Sequence, residues 1–175
     1  ANPVLSIRKE GNTPAWGAVY EQYFQEIDKV KGQKGVLSVE KKLFVETNNG
    51  TNRQIRPVTP EQPLRIGDKV IVRLTIRTDR EMDYVFLKDL RAGCFEPADQ
   101  LSGTESRDSI WYYRSPKDVS ENFFINRLPE GTFVLEYPVY VSRSGEYAGG
   151  ISTIQCMYAP EFVSHTAGES LRIMP

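Results

Sequence analysis

From Phe133 to Val141 an apolar residue recurs at every second position: Phe133, Leu135, Tyr137, Val139 and Val141. No other feature of the chain constrains its fold as strongly. A period of two belongs to an extended strand with one face in a core, whereas a helix would need a period of 3.6. Pro138 inside the run removes one ladder donor, which predicts either an edge position or a bulge there. After a turn at Ser144-Gly145, Ile151 to Tyr158 carries apolar residues on both faces, with Ile154, Cys156 and Tyr158 on one and Ile151 and Met157 on the other. That second stretch reads as a strand buried between two layers. Ala159-Pro160 is expected to end it, because proline restricts the residue before it and has no N–H to donate.

The same alternation extends upstream. Leu37, Val39, Leu43 and Val45 predict a strand that ends at Asn48-Asn49-Gly50. Lys69 to Arg77 places Val70, Val72, Leu74 and Ile76 on one face, and Asp83 to Asp89 places Val85 and Leu87 opposite Tyr84 and Phe86. Trp111-Tyr112-Tyr113-Arg114 and Asn122-Phe123-Phe124-Ile125 read as short aromatic strands separated by Ser115-Pro116-Lys117-Asp118. Leu128-Pro129-Glu130-Gly131 is a tight turn into the strand at Phe133. Thr47 to Pro63, with three prolines, predicts a long surface connection, and residues 92–109 are polar and turn-rich. Short strands between turns, without a long helix, predict an all-β antiparallel β-sandwich.

Residues 1–35 differ from the rest. Val4 to Ile7 is a short strand candidate, and Asp28 to Gly35, with three lysines and two glycines, reads as a linker or loop tip. Between them Trp16, Val19, Tyr20, Tyr23, Phe24 and Ile27 recur at helical spacing. Their aromatic character favours a strand instead, so periodicity and propensity disagree.

Charge and composition exclude several function classes. The 22 basic and 23 acidic residues nearly cancel, which leaves no electrostatic case for nucleic acid or an anionic membrane. No stretch approaches the roughly 20 apolar residues of a membrane helix. The chain starts at Ala1 without a methionine or a signal peptide, which is expected of a piece whose targeting signals lay upstream.

The residues that could carry chemistry have bland readings. His165 is the one histidine, and Cys94 and Cys156 are the two cysteines. A Cys-His nucleophile would need an exposed cysteine, and Cys156 lies in a run that reads as buried. Asp79, Glu81 and Asp83 alternate as carboxylate ligands of a calcium loop do, but Arg77 and Arg80 stand ready to neutralise them. Glu161 and His165 supply too few ligands for zinc, so no cofactor and no metal is expected. If Cys94 and Cys156 met, closing their loop would stabilise by about 4 kcal/mol. A free buried cysteine is an equally good core residue, and both outcomes stay open. Trp111, Tyr112, Tyr113, Phe123 and Phe124 invite a sugar-binding reading, against which alternation alone would bury about half of them in a core.

Several ordered blocks resemble a known family. Leu64-Arg65-Ile66-Gly67-Asp68-Lys69-Val70, Asp83 to Ala92, Asn122-Phe123-Phe124, Leu128 to Tyr137 and Gly150 to His165 are together similar to the C-terminal macroglobulin-like domain of bacterial alpha-2-macroglobulins, over roughly residues 36–170. The resemblance implies a fibronectin-like macroglobulin sandwich at 36–175, preceded in 1–35 by the closing strands of a CUB-like domain and a linker. On that basis Trp16 to Phe24 is taken as a strand. It also implies a periplasmic or cell-envelope protease trap whose partners are the thioester and CUB-like domains of the same chain and, indirectly, target proteases. The family's thioester signature, Cys-x-Glu-Gln, is absent: Cys94 precedes Phe-Glu-Pro and Cys156 precedes Met-Tyr-Ala. The expected role is therefore structural rather than enzymatic. Charged and aromatic residues at strand ends, Arg91, Tyr158, Glu161 and Phe162, are the interface candidates. The rival reading is a free-standing carbohydrate- or protein-binding sandwich.

Overall fold

The computed structural model describes residues 6–17, 19, 22–49 and 52–175. Its elements are one 3-10 turn at Ile27–Lys29 and fourteen strands: β1 Leu37–Asn49, β2 Asn52–Pro57, β3 Leu64–Arg65, β4 Lys69–Thr78, β5 Met82–Leu90, β6 Phe95–Pro97, β7 Gly103–Arg107, β8 Ile110–Pro116, β9 Ser120–Leu128, β10 Gly131–Val141, β11 Gly145–Ala148, β12 Ser152–Cys156, β13 Ala159–His165 and β14 Ser170–Met174. They form a five-stranded sheet ordered β2-β1-β4-β10-β6, a six-stranded sheet ordered β13-β12-β5-β9-β8-β7, and a small sheet β11-β14-β3. The two large sheets are antiparallel throughout, as alternation predicted, and the one parallel pairing joins β14 to β3.

Inward residues of both large sheets meet in one core. Val70, Val72, Leu74 and Ile76 of β4 and Leu135, Tyr137 and Val139 of β10 face Val85, Leu87, Phe123, Ile125 and Ile154 of the six-stranded sheet, all buried. Each such side chain contributes on the order of 1.5–3 kcal/mol on burial. Pro138 is accommodated as an edge residue. Its carbonyl accepts from Ala98 N–H at 3.3 Å, so its nitrogen faces the β6 side, where β6 pairs only with Val139 to Val141 and asks for no donor.

Polar groups cross this core. Lys41 interrupts the apolar face of β1, and its Nζ lies 2.9 Å from the buried Asp89 Oδ1 of β5 while donating to the carbonyls of Leu90 at 2.8 Å and Gly149 at 3.2 Å. Ser152 Oγ of β12 donates to Asp89 Oδ1 at 2.6 Å, and the Tyr137 hydroxyl of β10 donates to Asp89 Oδ2. Burial, and then the Asp89 charge, push the Tyr137 phenol well above its ordinary value, which keeps it a donor. Beside this group, Glu121 of β9 accepts from Arg91 Nη1 at 3.0 Å and from Arg114 Nε at 2.6 Å.

Several elements depart from the sequence reading. Residues 47–63 are not a long connection, since β1 returns as β2 in a hairpin. The polar stretch 92–109 holds β6 and β7. β7 has no buried face to read in the sequence and is held by its ladder to β8. β12 stops at Cys156, so Ile151 to Tyr158 is not a strand covered on both sides. Ala159-Pro160 opens β13 instead of ending a strand, because pairing shifts between Gln155 and Cys156 and leaves Pro160 to Phe162 in a bulge that needs no donor. In the proposed strand Trp16 to Phe24, Ala18, Tyr20 and Glu21 lie outside the described residues. The others are exposed and form no strand, since among the described residues no sheet pairs with them. Val4 and Leu5 also lie outside the described residues, and Ser6 and Ile7 are irregular.

The linker at 28–35 is pinned. Gln33 and His165 exchange two main-chain hydrogen bonds, at 2.9 and 3.1 Å, and Gly168 N–H donates to Val30 O at 2.8 Å. The approach is possible only without side chains. A Cβ on Gly168 would stand 1.8 Å from Ile27 O, and one on Gly32 would stand 2.9 Å from Ala167 N.

The outer face of the five-stranded sheet is charged, with Glu136 accepting from Arg73 Nε at 2.6 Å and from Arg107 Nη2 at 3.0 Å. Burial raises the Glu136 carboxyl, but these two partners outweigh it and leave the group below its ordinary value.

Three predictions follow from this packing. Asp89→Ala leaves Lys41 buried without its counter-charge and should cost about 3–5 kcal/mol in denaturant unfolding. Gly168→Ala should speed trypsin cleavage after Lys29, Lys31 and Lys34 while the denaturation midpoint of the sandwich stays nearly unchanged. Because the Glu136 value is depressed, its contribution is present above the unfolded value of about 4.3 and is lost as pH falls through the folded one. The wild type should therefore lose more stability than Glu136→Gln between about pH 6 and about pH 3, as read by thermal unfolding at each pH.

Candidate interdomain surface

At one end of the six-stranded sheet, β12 reverses into β13 through Met157 and Tyr158, because Cys156 pairs directly with Ala159. The two turn residues have no core to enter. Met157 is 53% and Tyr158 80% exposed. An irregularity in β5 braces them. Asp83 pairs with Arg127 and Val85 with Ile125, while Tyr84 between them takes φ 54°. A left-handed conformation in a bulky residue costs on the order of 1–3 kcal/mol. It places the Tyr84 carbonyl to accept from Met157 N–H at 2.9 Å and the Tyr84 ring edge-on to Tyr158, with centroids 5.1 Å apart. The ring pair returns about 0.5–1.5 kcal/mol. The tip is thus an exposed aromatic and thioether cluster held in one shape by the Met157–Tyr84 hydrogen bond and the edge-on ring pair.

The sequence candidates divide around it. Tyr158 is at the apex, and Glu161 is exposed in the neighbouring bulge. Phe162 is half-buried against the core, with the Arg80 guanidinium 5.7 Å from its ring centre. Arg91 is elsewhere: it is buried, donates to Glu121 and to the carbonyls of Lys117 and Asp118, and offers nothing to a partner. Its place at a strand end suggested a surface residue, but its charge is used inside. Tyr84 and Met157 were not among the candidates. Nothing in the sequence marks the positive φ of Tyr84, and Met157 was assigned to a buried strand.

The chemical candidates occupy other places. Cys94 and Cys156 are both buried and unbridged. Burial pushes the Cys94 thiol up to about 11, away from the thiolate, and Cys156 Sγ donates to Asp83 O at 3.3 Å. His165 Nδ1 is 3.1 Å from Thr166 O. Asp79 is paired with Arg80 at 2.9 Å and Glu81 with Arg127 at 2.7 Å. Ser152, Asp89 and Lys41 are residue types that elsewhere perform acyl transfer, but here the serine donates to a carboxylate inside a sealed core, where no substrate reaches it. Of the aromatic cluster, Tyr112 and Phe123 are buried, while Trp111, Tyr113 and Phe124 are exposed, the division that alternation requires. Two open grooves, of about 750 and 410 Å³, flank β1 and the 165–172 segment, on which none of the interface candidates lies.

Residues 37–161 match the family described as the bacterial alpha-2-macroglobulin MG10 domain. Among solved structures, Salmonella alpha-2-macroglobulin reacted with methylamine is 24% identical with a TM-score of 0.65, over 83% of this chain and 10% of that one. The Escherichia coli protein from domain MG7 to the C-terminus is 18% identical with a TM-score of 0.65, over 82% and 24%. The E. coli protein activated by porcine elastase is 18% identical with a TM-score of 0.64, over 83% and 14%. A 113-residue stretch, 62% of this chain and 3% of the other, is 29% identical to circularly permutated Ras protein 2 of Dictyostelium discoideum. The chain therefore spans a quarter or less of these relatives' length, and at these identities the structures show the shared fold. With the family match covering β1 into β13, this chain belongs to the bacterial alpha-2-macroglobulin MG10 domain family.

Proposed function

We propose that this chain is the non-catalytic C-terminal structural module of a bacterial protease trap, and that its β12–β13 tip packs against the thioester domain of the same polypeptide. The observation that carries the reading is the tip itself: Met157 and Tyr158 stand exposed in a conformation that Tyr84 is strained to support, an arrangement with no use in an isolated sandwich. Glu161 and Phe162 extend the contact. The family membership supports a place within a larger inhibitor, because the match with this chain covers only 10–24% of the macroglobulin chains it resembles. Trp16, Tyr23 and Phe24, exposed and unpaired in this fold, belong in this reading to a preceding CUB-like domain whose sheet lies outside this chain. The pinned segment at 27–33 then couples that domain to the sandwich, so that a rearrangement of one moves the other. The parent resides in the periplasm or cell envelope and meets target proteases through other domains.

Tyr158→Ala tests the reading in two settings. In the 175-residue chain the substitution should change stability by no more than about 1.5 kcal/mol, the value of the ring pair. In the parent it should lower the first thermal transition and speed the protease-induced rearrangement. An unchanged parent would remove the docking role, and protease inhibition by the 175-residue chain alone would overturn the structural reading.

A further inference from the structure

The outer faces of the two large sheets differ in kind. On the five-stranded sheet the central cross-strand row is Lys42, Arg73 and Glu136. On the six-stranded sheet the corresponding row runs Val163, Gln155, Phe86, Phe124, Tyr113 and Thr104, each opposite the next, so that three aromatic residues stand side by side at its centre. Trp111 follows two residues along β8 on the same face. These rings are not tucked away: Trp111 is 68%, Tyr113 46% and Phe124 43% exposed.

The attitude of the rings indicates what they fit. Phe86 and Phe124 stack with centroids 4.9 Å apart and planes 26° apart, and Tyr113 lies 6.5 Å from Phe124 at 47°. Neighbouring strands are about 4.8 Å apart. Rings stacked across that spacing therefore stand up from the sheet and turn their edges outward. A sugar ring needs an aromatic face laid open to it, which the stacked Phe86 and Phe124 do not present. Side chains of a protein surface pack readily between upright ring edges.

We propose that this outer face is buried against another domain of the same polypeptide, with Trp111 and Tyr113 as its anchors. The inference rests on the reading of the chain as one module of a larger trap. Three observations point to that occupant. The match covers only 10% of the Salmonella relative, so in a chain of that kind a covering surface is available within one molecule. A monomer rarely leaves a contiguous apolar patch of more than a few hundred Å² uncovered. Finally, the face and the tip belong to one sheet, since β13, β12, β5, β9 and β8 are successive neighbours and the tip joins β12 to β13. Trp and Tyr anchors inside a rim of Gln155, Asn126 and Thr104 have the composition of an interface centre.

Hydroxyl-radical footprinting read by mass spectrometry, on the parent and on the dilute 175-residue chain, tests the proposal with the tip as internal reference. Trp111 and Tyr113 should react freely in the 175-residue chain and several-fold more slowly in the parent. If they react equally fast in both while Met157 and Tyr158 are protected in the parent, the sheet-face proposal is overturned and the module reading stands. If all four react equally fast in both, the proposal and the module reading fall together. Protection in the 175-residue chain that disappears on dilution would identify a second copy as the occupant, and protection by a soluble glycan strand a saccharide. Either would overturn the proposal.

Discussion

Asp89 is the point on which the two sheets depend. A carboxylate with no exposure must be given charge and hydrogen bonds from inside the protein. Here they come from both sides of the core: Lys41 of β1 and the Tyr137 hydroxyl of β10 reach it from one sheet, and Ser152 of β12 holds it from its own. Such a group adds little net stability compared with an apolar replacement of the same shape. It does tie the two sheets together in this register, since Lys41 and Tyr137 of one and Ser152 of the other all meet at Asp89. The Arg91–Glu121–Arg114 group beside it performs the same office between β8, β9 and the 117–118 turn.

That rigid frame explains where the molecule can spend strain. β5 carries Asp89 near one end and the left-handed Tyr84 near the other. The inner half of the strand is fixed by the core, so the irregular half can hold Tyr84 under the β12–β13 turn without the sheet relaxing around it. The outer surfaces then divide the work. The five-stranded face is charged and internally paired through Glu136, as a solvated face should be, whereas the six-stranded face and the adjoining tip present rings and a thioether. One outer face is thus charge-paired and the other apolar and exposed, the contrast on which the proposed place in a larger chain rests. Trp16, Tyr23 and Phe24 add to that contrast, since they too stand exposed in the described residues.

Much of this was legible beforehand. The β4, β5 and β10 strands followed from alternation, because most of one face of each lies in the core, and β9 from its aromatic run; the split of the aromatic cluster into buried and exposed halves followed from alternation too. The strands that escaped notice are those whose formation depends on a neighbour. β7 is polar on both faces and exists through β8. β13 begins with a proline that a bulge renders harmless. Arg91 was misplaced for a related reason, since a charged residue at a strand end looks like surface until an internal carboxylate is found for it.

The sequence by itself determined the fold class, the family and the identity of most core residues, because period-two burial and ordered motif blocks are local properties that do not require knowing which strands meet. It also contained Lys41 and Asp89 in plain view, one interrupting an apolar face and the other ending one. Only the tertiary structure decided that those two meet. It alone likewise decided that Tyr84 supports Tyr158 and that residues 27–33 are clasped against 165–170 where glycines permit it. Each of these depends on contacts between residues far apart in the chain, whose side-chain chemistry is fixed locally but whose partners are set by sheet order and register.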